Sequence, residues 1–182
     1  MFSARVREGV ELRLIEERHA DAIFALTDQD RAYLRDWLPW VDRTASVEDT
    51  LAFVHRSLEQ FAANDGLTAG IWNQACFCGV IGYHKIDWPN RRVEIGYWLG
   101  KSFQGQGLAT DSCRVLIRHA FLEWELNRVE IRCATGNTGS CAIPKRLGFT
   151  LEGTIREGEI VNGRKLDLNI FGLLRSEWRD TE

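Results

Sequence analysis

The sequence predicts an α/β (α+β) fold: a mixed, mostly antiparallel central sheet of about seven strands flanked by helices. Three observations carry this. Runs of strand-like alternation and runs with helical spacing follow one another in the order β-α-α-β-β-β-α-β-α-β-β. A glycine segment, Gln104-Gly105-Gln106-Gly107-Leu108-Ala109-Thr110, separates a strand-like run from a long helical pattern. Near the C-terminus, two long strand-like runs meet at Asn162-Gly163, a tight hairpin turn. No internal repeat, low-complexity tract or linker divides the 182 residues, so 1–182 is read as one domain.

Val10 to Ile15 alternates and reads as the first strand. His19 to Thr27 has helical spacing through Ala22, Ile23 and Leu26, and Ala32 to Trp40 is an apolar cluster ended by Pro39. Ser46 or Thr44 is placed to cap a helix whose apolar positions are Val47, Leu51, Val54, Leu58 and Phe61. Asn64-Asp65-Gly66 stops it. Leu67–Trp72 and Phe77–Ile86 read as strands joined at Asn73-Gln74, and Trp88-Pro89-Asn90 turns the chain into Arg91–Leu99. Leu108 to about Glu125 forms a helix burying Leu108, Val115, Leu116, His119, Ala120 and Leu122. Arg128–Ala134 is a strand and Asn137–Arg146 a short helix; Pro144 inside it removes a hydrogen bond, so a short or kinked helix is expected. Phe149–Val161 and Lys165–Leu174 form the closing hairpin.

A net charge of −3 and a pI near 5.9, with no dense Lys/Arg run, argue against direct nucleic-acid binding. Met1 to Arg13 contains no apolar stretch of signal-peptide length, and no run is long and apolar enough for a membrane span; a cytoplasmic protein is expected, without a membrane partner. The five cysteines, 76, 78, 113, 133 and 141, are read as free thiols. Cys76-Phe77-Cys78 has no second pair at metal-ligand spacing, so no metal is expected. Cys141 is notable only for its neighbour Ser140, and no base to activate it is evident.

The glycine segment carries the chemistry. Strand, glycine loop and helix turn several free N–H groups and a helix N-terminus toward one spot, which suits a phosphate-bearing ligand. Gly105 and Gly107 permit a sharp turn and close backbone approach. The spacing excludes a P-loop, because one residue separates the glycines and Leu108 follows. It also excludes a dinucleotide fingerprint, which Ala109 and Thr110 do not complete.

Gln104-x-x-Gly107-x-Ala109 resembles the pyrophosphate loop of the GNAT N-acetyltransferases, which bind acetyl-coenzyme A. Leu34-x-x-Trp37-Leu38-Pro39-Trp40, Ile95-Gly96-Tyr97-Trp98-Leu99, Asn137-x-x-Ser140 and Leu147-Gly148-Phe149-x-x-Glu152-Gly153 are similar to segments of the RimJ/RimL-type ribosomal-protein N-acetyltransferases, in the same order. The resemblance covers nearly the whole chain and implies the GNAT fold. It further implies direct attack of a primary amine on the thioester of acetyl-coenzyme A in a ternary complex. The implied acceptor is the N-terminal α-amine of a protein such as a ribosomal protein; small amines or antibiotics are alternatives in the same fold. Relatives are often dimers, so a homodimer is carried as an expectation.

The resemblance also assigns residues. Gln104, Gly105, Gln106, Gly107, Leu108 and Ala109 would hold the pyrophosphate, while Tyr97, Trp98, Leu99 and Asn137 would hold the rest of the cofactor. Asn137 also reads as a helix cap, and the two roles are compatible. The tyrosine that many relatives carry before Leu-Gly-Phe is replaced by Pro144, and Ser140 takes its place, its hydroxyl to hydrogen-bond the leaving sulfur or relay a proton, with helix capping as its structural alternative. Glu159, in Gly158-Glu159-x-x-Asn162-Gly163, is the first choice of base; Glu94 and His84 are alternatives that would also contact substrate. Trp37 and Trp40 would wall the acceptor cleft. Asp167 matches a recurrent acidic position, and Phe171 stands where relatives often have tyrosine, a hydroxyl that would be missing if substrate contact needs it. That departure, with Pro144, keeps open a non-catalytic acyl-coenzyme A sensor.

Overall fold

A computed structural model describes residues 3–180. The chain runs β1 (Ser3–Arg7), β2 (Val10–Leu14), α1 (Ala20–Gln29), α2 (Arg31–Leu34), α3 (Val47–Ala62), β3 (Leu67–Asn73), β4 (Cys76–Tyr83), β5 (Arg92–Leu99), α4 (Leu108–Leu122), β6 (Arg128–Ala134), α5 (Thr138–Arg146), β7 (Thr150–Val161) and β8 (Arg164–Leu174). The strands form one eight-stranded sheet in the order β1-β2-β3-β4-β5-β6-β8-β7. Every neighbouring pair is antiparallel except β5–β6, which is parallel.

The sheet has one strand more than the sequence predicts. β1 is an edge strand with Ser3, Arg5 and Arg7 exposed, and a charged outer edge hides the apolar signal by which a strand is recognised. Alternate residues of β4 serve two cores. Ile81 packs with α4, through Leu108, Cys113, Leu116, Ile117 and Phe121. Val80 packs with Ile23 and Leu26 of α1 and Val54 of α3.

Two helices bury faces that only partly match those predicted. On α4, Leu108, Leu116 and Ala120 are buried as expected, but Leu122 is exposed, and Cys113, Ile117 and Phe121 turn inward instead. On α3 the inward stripe is Thr50, Val54 and Ser57, while Phe61 is exposed. Both hydroxyls there donate to a carbonyl four residues back, Thr50 to Ser46 (3.5 Å) and Ser57 to Phe53 (3.0 Å), so neither polar group is buried unpaired. The Ser46 cap is as predicted: its hydroxyl accepts from the Asp49 N–H, and the Asp49 carboxylate accepts from the Ser46 N–H.

Candidate active site

Parallel pairing of β5 with β6 stops early. Arg92, Val93 and Glu94 face Arg128, Val129 and Glu130, and beyond these the strands part. Ile95 to Leu99 therefore has no partner on that side, and a cleft opens between the strands. Two connected hollows occupy it. One, of about 480 Å³, is lined by the glycine loop and the start of α4. The other, of about 670 Å³, runs toward α3 and the β7–β8 hairpin. Trp37, Leu38, Tyr97, Trp98, Asn137 and Ser140 border both, so the hollows meet at these residues.

In the first hollow, Gln104, Gly105, Gly107, Leu108 and Ala109 form the wall, with Arg114 and Arg146 adding positive charge. Gly105 and Gly107 have φ of +72° and +79°, the left-handed region that a side chain would strain. A Cβ on Gly105 would meet nothing within 4 Å, so this backbone is open to a ligand. Gln106, grouped with these residues by resemblance, turns its side chain back to donate to the Ser102 carbonyl (2.9 Å). Leu108 is fully buried in the core, so what it offers the hollow is backbone. The loop is braced by a residue that sequence motifs do not indicate: Arg7 of β1 donates to the Gln106 carbonyl (2.9 Å) and to Asp111 (2.8 Å), which Arg114 also holds (2.6 Å). The site fits a pyrophosphate-bearing ligand, since it combines open loop amides, a fifteen-residue helix N-terminus and two arginines.

The second hollow has aromatic walls and an acidic end. Trp37 lies over Gly136, where an added Cβ would stand 3.7 Å from its ring, and Trp40 packs on Trp98 with ring centroids 5.8 Å apart. The hairpin tip holds this wall: Asn162 donates to the Arg35 carbonyl and Arg164 to that of Asp36. His84 lies across Gly96, where a Cβ would run into its Nε2, so glycine at 96 is a condition of the histidine's place. His84 Nδ1 is 3.4 Å from Glu94, whose other oxygen is 3.2 Å from Arg132 Nε. Glu94 thus has partners already. The Glu159 carboxylate makes no hydrogen bond or ion pair among the described residues; burial and the charge of Glu94 push its pKa above the ordinary value, with His84 opposing.

A bulge aims Glu159. On β7, Ile155 pairs with Leu168 and Glu159 with Leu166, so residues 156–158 stand opposite Asp167 alone. The Glu157 N–H, at φ +50°, donates to the Asp167 carboxylate (2.8 Å), and a Cβ on Gly158 would come 3.1 Å from Ile155. Asp167 therefore supports the bulge rather than lining the cleft. Phe171 is 1% exposed, in the core away from the cleft. A hydroxyl absent at 171 is no loss to the second hollow.

At the junction, Asn137 caps α5, its side-chain oxygen accepting the Ser140 N–H (3.1 Å). The Ser140 hydroxyl donates to Tyr97 Oη (3.3 Å), and Tyr97 donates to the Ser140 carbonyl (3.2 Å). Burial pushes the Tyr97 hydroxyl far above its usual value, so it keeps its proton. Cys133 and Cys141 are free and buried, with their sulfurs 2.8 Å apart; burial pushes the Cys133 thiol up as well, which disfavours a nucleophilic role for it. Among the described residues, no cluster of three or more His, Cys, Asp or Glu is arranged to hold a metal, and no helix is long and apolar enough to cross a membrane.

Residues 10–150 match the acetyltransferase (GNAT) domain model. The chain is 40% identical over 181 residues to YdaF of Bacillus subtilis (strain 168), a protein provisionally named a ribosomal N-acetyltransferase, with 98% of each chain covered. It is 31% identical to the ribosomal-protein-serine acetyltransferase of Escherichia coli (strain K12), covering 92% of this chain and 93% of that one. A solved structure of RimL, a ribosomal-protein α-N-acetyltransferase in complex with coenzyme A, superposes with a TM-score of 0.92 at 31% identity, over 95% of this chain and 98% of that one. The chain belongs to the GNAT acetyltransferase family and is an N-acetyltransferase of the RimL type.

Proposed function

We propose that the chain acetylates the N-terminal α-amine of a protein, a ribosomal protein foremost, using acetyl-coenzyme A bound along residues 104–109 and the free edge of β5. The observation that carries this reading is the acceptor hollow, with tryptophan walls, an unpaired carboxyl at its far end, and an opening onto the cofactor hollow at Ser140. Bound acetyl-coenzyme A supplies a thioester carbonyl open to attack by an amine. Glu94 and Glu159 attract the incoming ammonium. Glu159, whose oxygens are uncommitted, takes its proton directly or through water; Glu94, held by Arg132, sets the field. An α-amine suits a modest base because its pKa of about 7.7–8.0 leaves roughly a tenth of it neutral at pH 7. Ser140 gives a hydrogen bond to the departing sulfur or relays a proton to it from water, so that coenzyme A leaves as the thiol and the serine keeps a proton. The free N–H groups of β5 beyond Glu94 face the same gap and serve the developing negative charge on oxygen. Asn137 keeps the turn that presents Ser140.

The test is thiol release from acetyl-coenzyme A with a panel of N-terminal peptides and small amines. Peptide-dependent turnover is expected, and Ser140→Ala is expected to lower kcat by about tenfold or more with little change in KM for the cofactor. Turnover confined to small amines would overturn the protein-acceptor reading. The brace on the loop gives a separate expectation. Arg7→Ala should raise KM for acetyl-coenzyme A about fivefold, a loss of about 1 kcal/mol for a partly exposed pair, while kcat at saturating cofactor holds. Steady-state kinetics with the cofactor varied will check it.

A further inference from the structure

We propose that Tyr97 is the positioning residue of Ser140, and that Pro144 is what makes its place available. The inference rests on the reading of Ser140 as the group that serves the leaving sulfur.

Ser140 lies in the first turn of α5, and Pro144 follows four residues later. In an unbroken helix the N–H at 144 would donate to the Ser140 carbonyl. Proline has no N–H, so that carbonyl lacks its helical donor. Tyr97, reaching across from β5, supplies one at 3.2 Å. A tyrosine hydroxyl has a single proton. Once it is given to the carbonyl, the phenol oxygen is left as an acceptor, and the Ser140 hydroxyl points at it from 3.3 Å. Together the two bonds tie the serine's backbone and side chain to one atom of β5. They fix both ends of the serine while its N–H is held by Asn137.

The hydroxyl that serves this carbonyl comes from the opposite side of the junction, on the strand whose free edge faces the cofactor gap. Tyr97 borders both hollows, so it stands where acceptor and cofactor would meet. Because it keeps its proton, its part is orientation: it anchors the serine hydroxyl at the junction of the two hollows, and the serine's single proton, which rests on the phenol oxygen, turns to the sulfur when the thiolate departs.

The test separates orientation from simple satisfaction of a carbonyl. Tyr97→Phe removes both bonds and keeps the ring. Its kcat is expected to fall about tenfold, with KM for acetyl-coenzyme A changed less than about twofold, since the strand's backbone is untouched. Pro144→Ala restores a helical N–H to the Ser140 carbonyl. In the double variant Tyr97→Phe/Pro144→Ala, thermal stability should return while kcat stays low. If kcat also returns, Tyr97 only filled a carbonyl and the proposal is overturned. In a Ser140→Ala background, Tyr97→Phe should add no further loss in kcat; a full additional loss means that it acts elsewhere and overturns the proposal. An unimpaired Ser140→Ala overturns the underlying reading of Ser140. A normal Tyr97→Phe beside an impaired Ser140→Ala overturns this inference alone.

Discussion

Glu159→Gln is expected to lower kcat by about 10² to 10³, the range for losing a general base, while leaving KM for acetyl-coenzyme A nearly unchanged. Glutamine keeps the shape and removes the basic oxygen. In the parent, kcat/KM should fall in acid along a limb set by the Glu159 carboxyl, displaced upward because burial and Glu94 raise its pKa. That limb should vanish in the variant. Stability should move the other way. A carboxyl whose folded pKa lies above its unfolded value holds its proton more firmly in the folded state. Its favourable contribution is complete below the unfolded value of about 4.3 and is lost as pH rises through the folded one. At neutral pH the Glu159 carboxylate therefore costs stability, and the glutamine variant should melt no lower than the parent at pH 7, with any advantage shrinking toward pH 4. Melting curves beside the pH–rate profile will check both. A variant that is folded and fully active sinks the assignment and returns the role of base to Glu94 or His84.

Glu130→Ala should be the most destabilising change near the site, by about 3 kcal/mol, the scale for breaking a buried ion pair from one side. For a chain of this size that is about a 10 °C fall in Tm. Glu130 is 7% exposed on β6, with Arg128 (2.9 Å) and Arg132 (3.1 Å) two residues to either side on the same face. Arg128 also reaches Glu152 of β7 across Gly172, where any Cβ would come 2.7 Å from its guanidinium. Arg132 continues the chain of charges to Glu94. Without Glu130, two arginines face each other with half their partners gone. Burial pushes the Glu130 carboxyl up, but the bonds from Arg128 and Arg132 outweigh it and hold the net value below ordinary. Its contribution is thus present above the unfolded value and lost as pH falls through the folded one. The gap between parent and variant should be full at pH 7 and close in acid. Thermal melts at both pH values will decide, and an equal gap at each would mean that packing, not charge, is what was lost.

Much of the site was legible locally. The glycine loop, the Asn137–Ser140 turn and the Asn162-Gly163 hairpin are each set by a few consecutive residues whose backbone needs are specific, so short motifs reveal them. Asn162 and Gly163 do occupy the left-handed region at φ of 50° and 77°, as a tight hairpin turn requires. The buried stripes of α3 and α4 were less legible. Periodicity treats serine, threonine and cysteine as outward residues, whereas Thr50 and Ser57 meet their own helix carbonyls and Cys113 is simply small enough to bury.

The sequence by itself determined the order of elements after the charged first strand, the family, the glycine loop and the candidate acid and base, because those depend on local conformation and on residue types at fixed spacing. Only the tertiary structure decided which carboxylate is free. Glu94 and Glu159 look alike as residues; Arg132 pairs with one, while the carboxylate of the other has no hydrogen bond or ion pair among the described residues and feels Glu94 and His84 only through their charge. It alone brought Arg7 to a loop about 100 residues distant, and Tyr97 to the carbonyl that Pro144 leaves bare. Such pairings depend on where strands part and which hydrogen-bonding groups remain unsatisfied, and those quantities exist only once the sheet has formed.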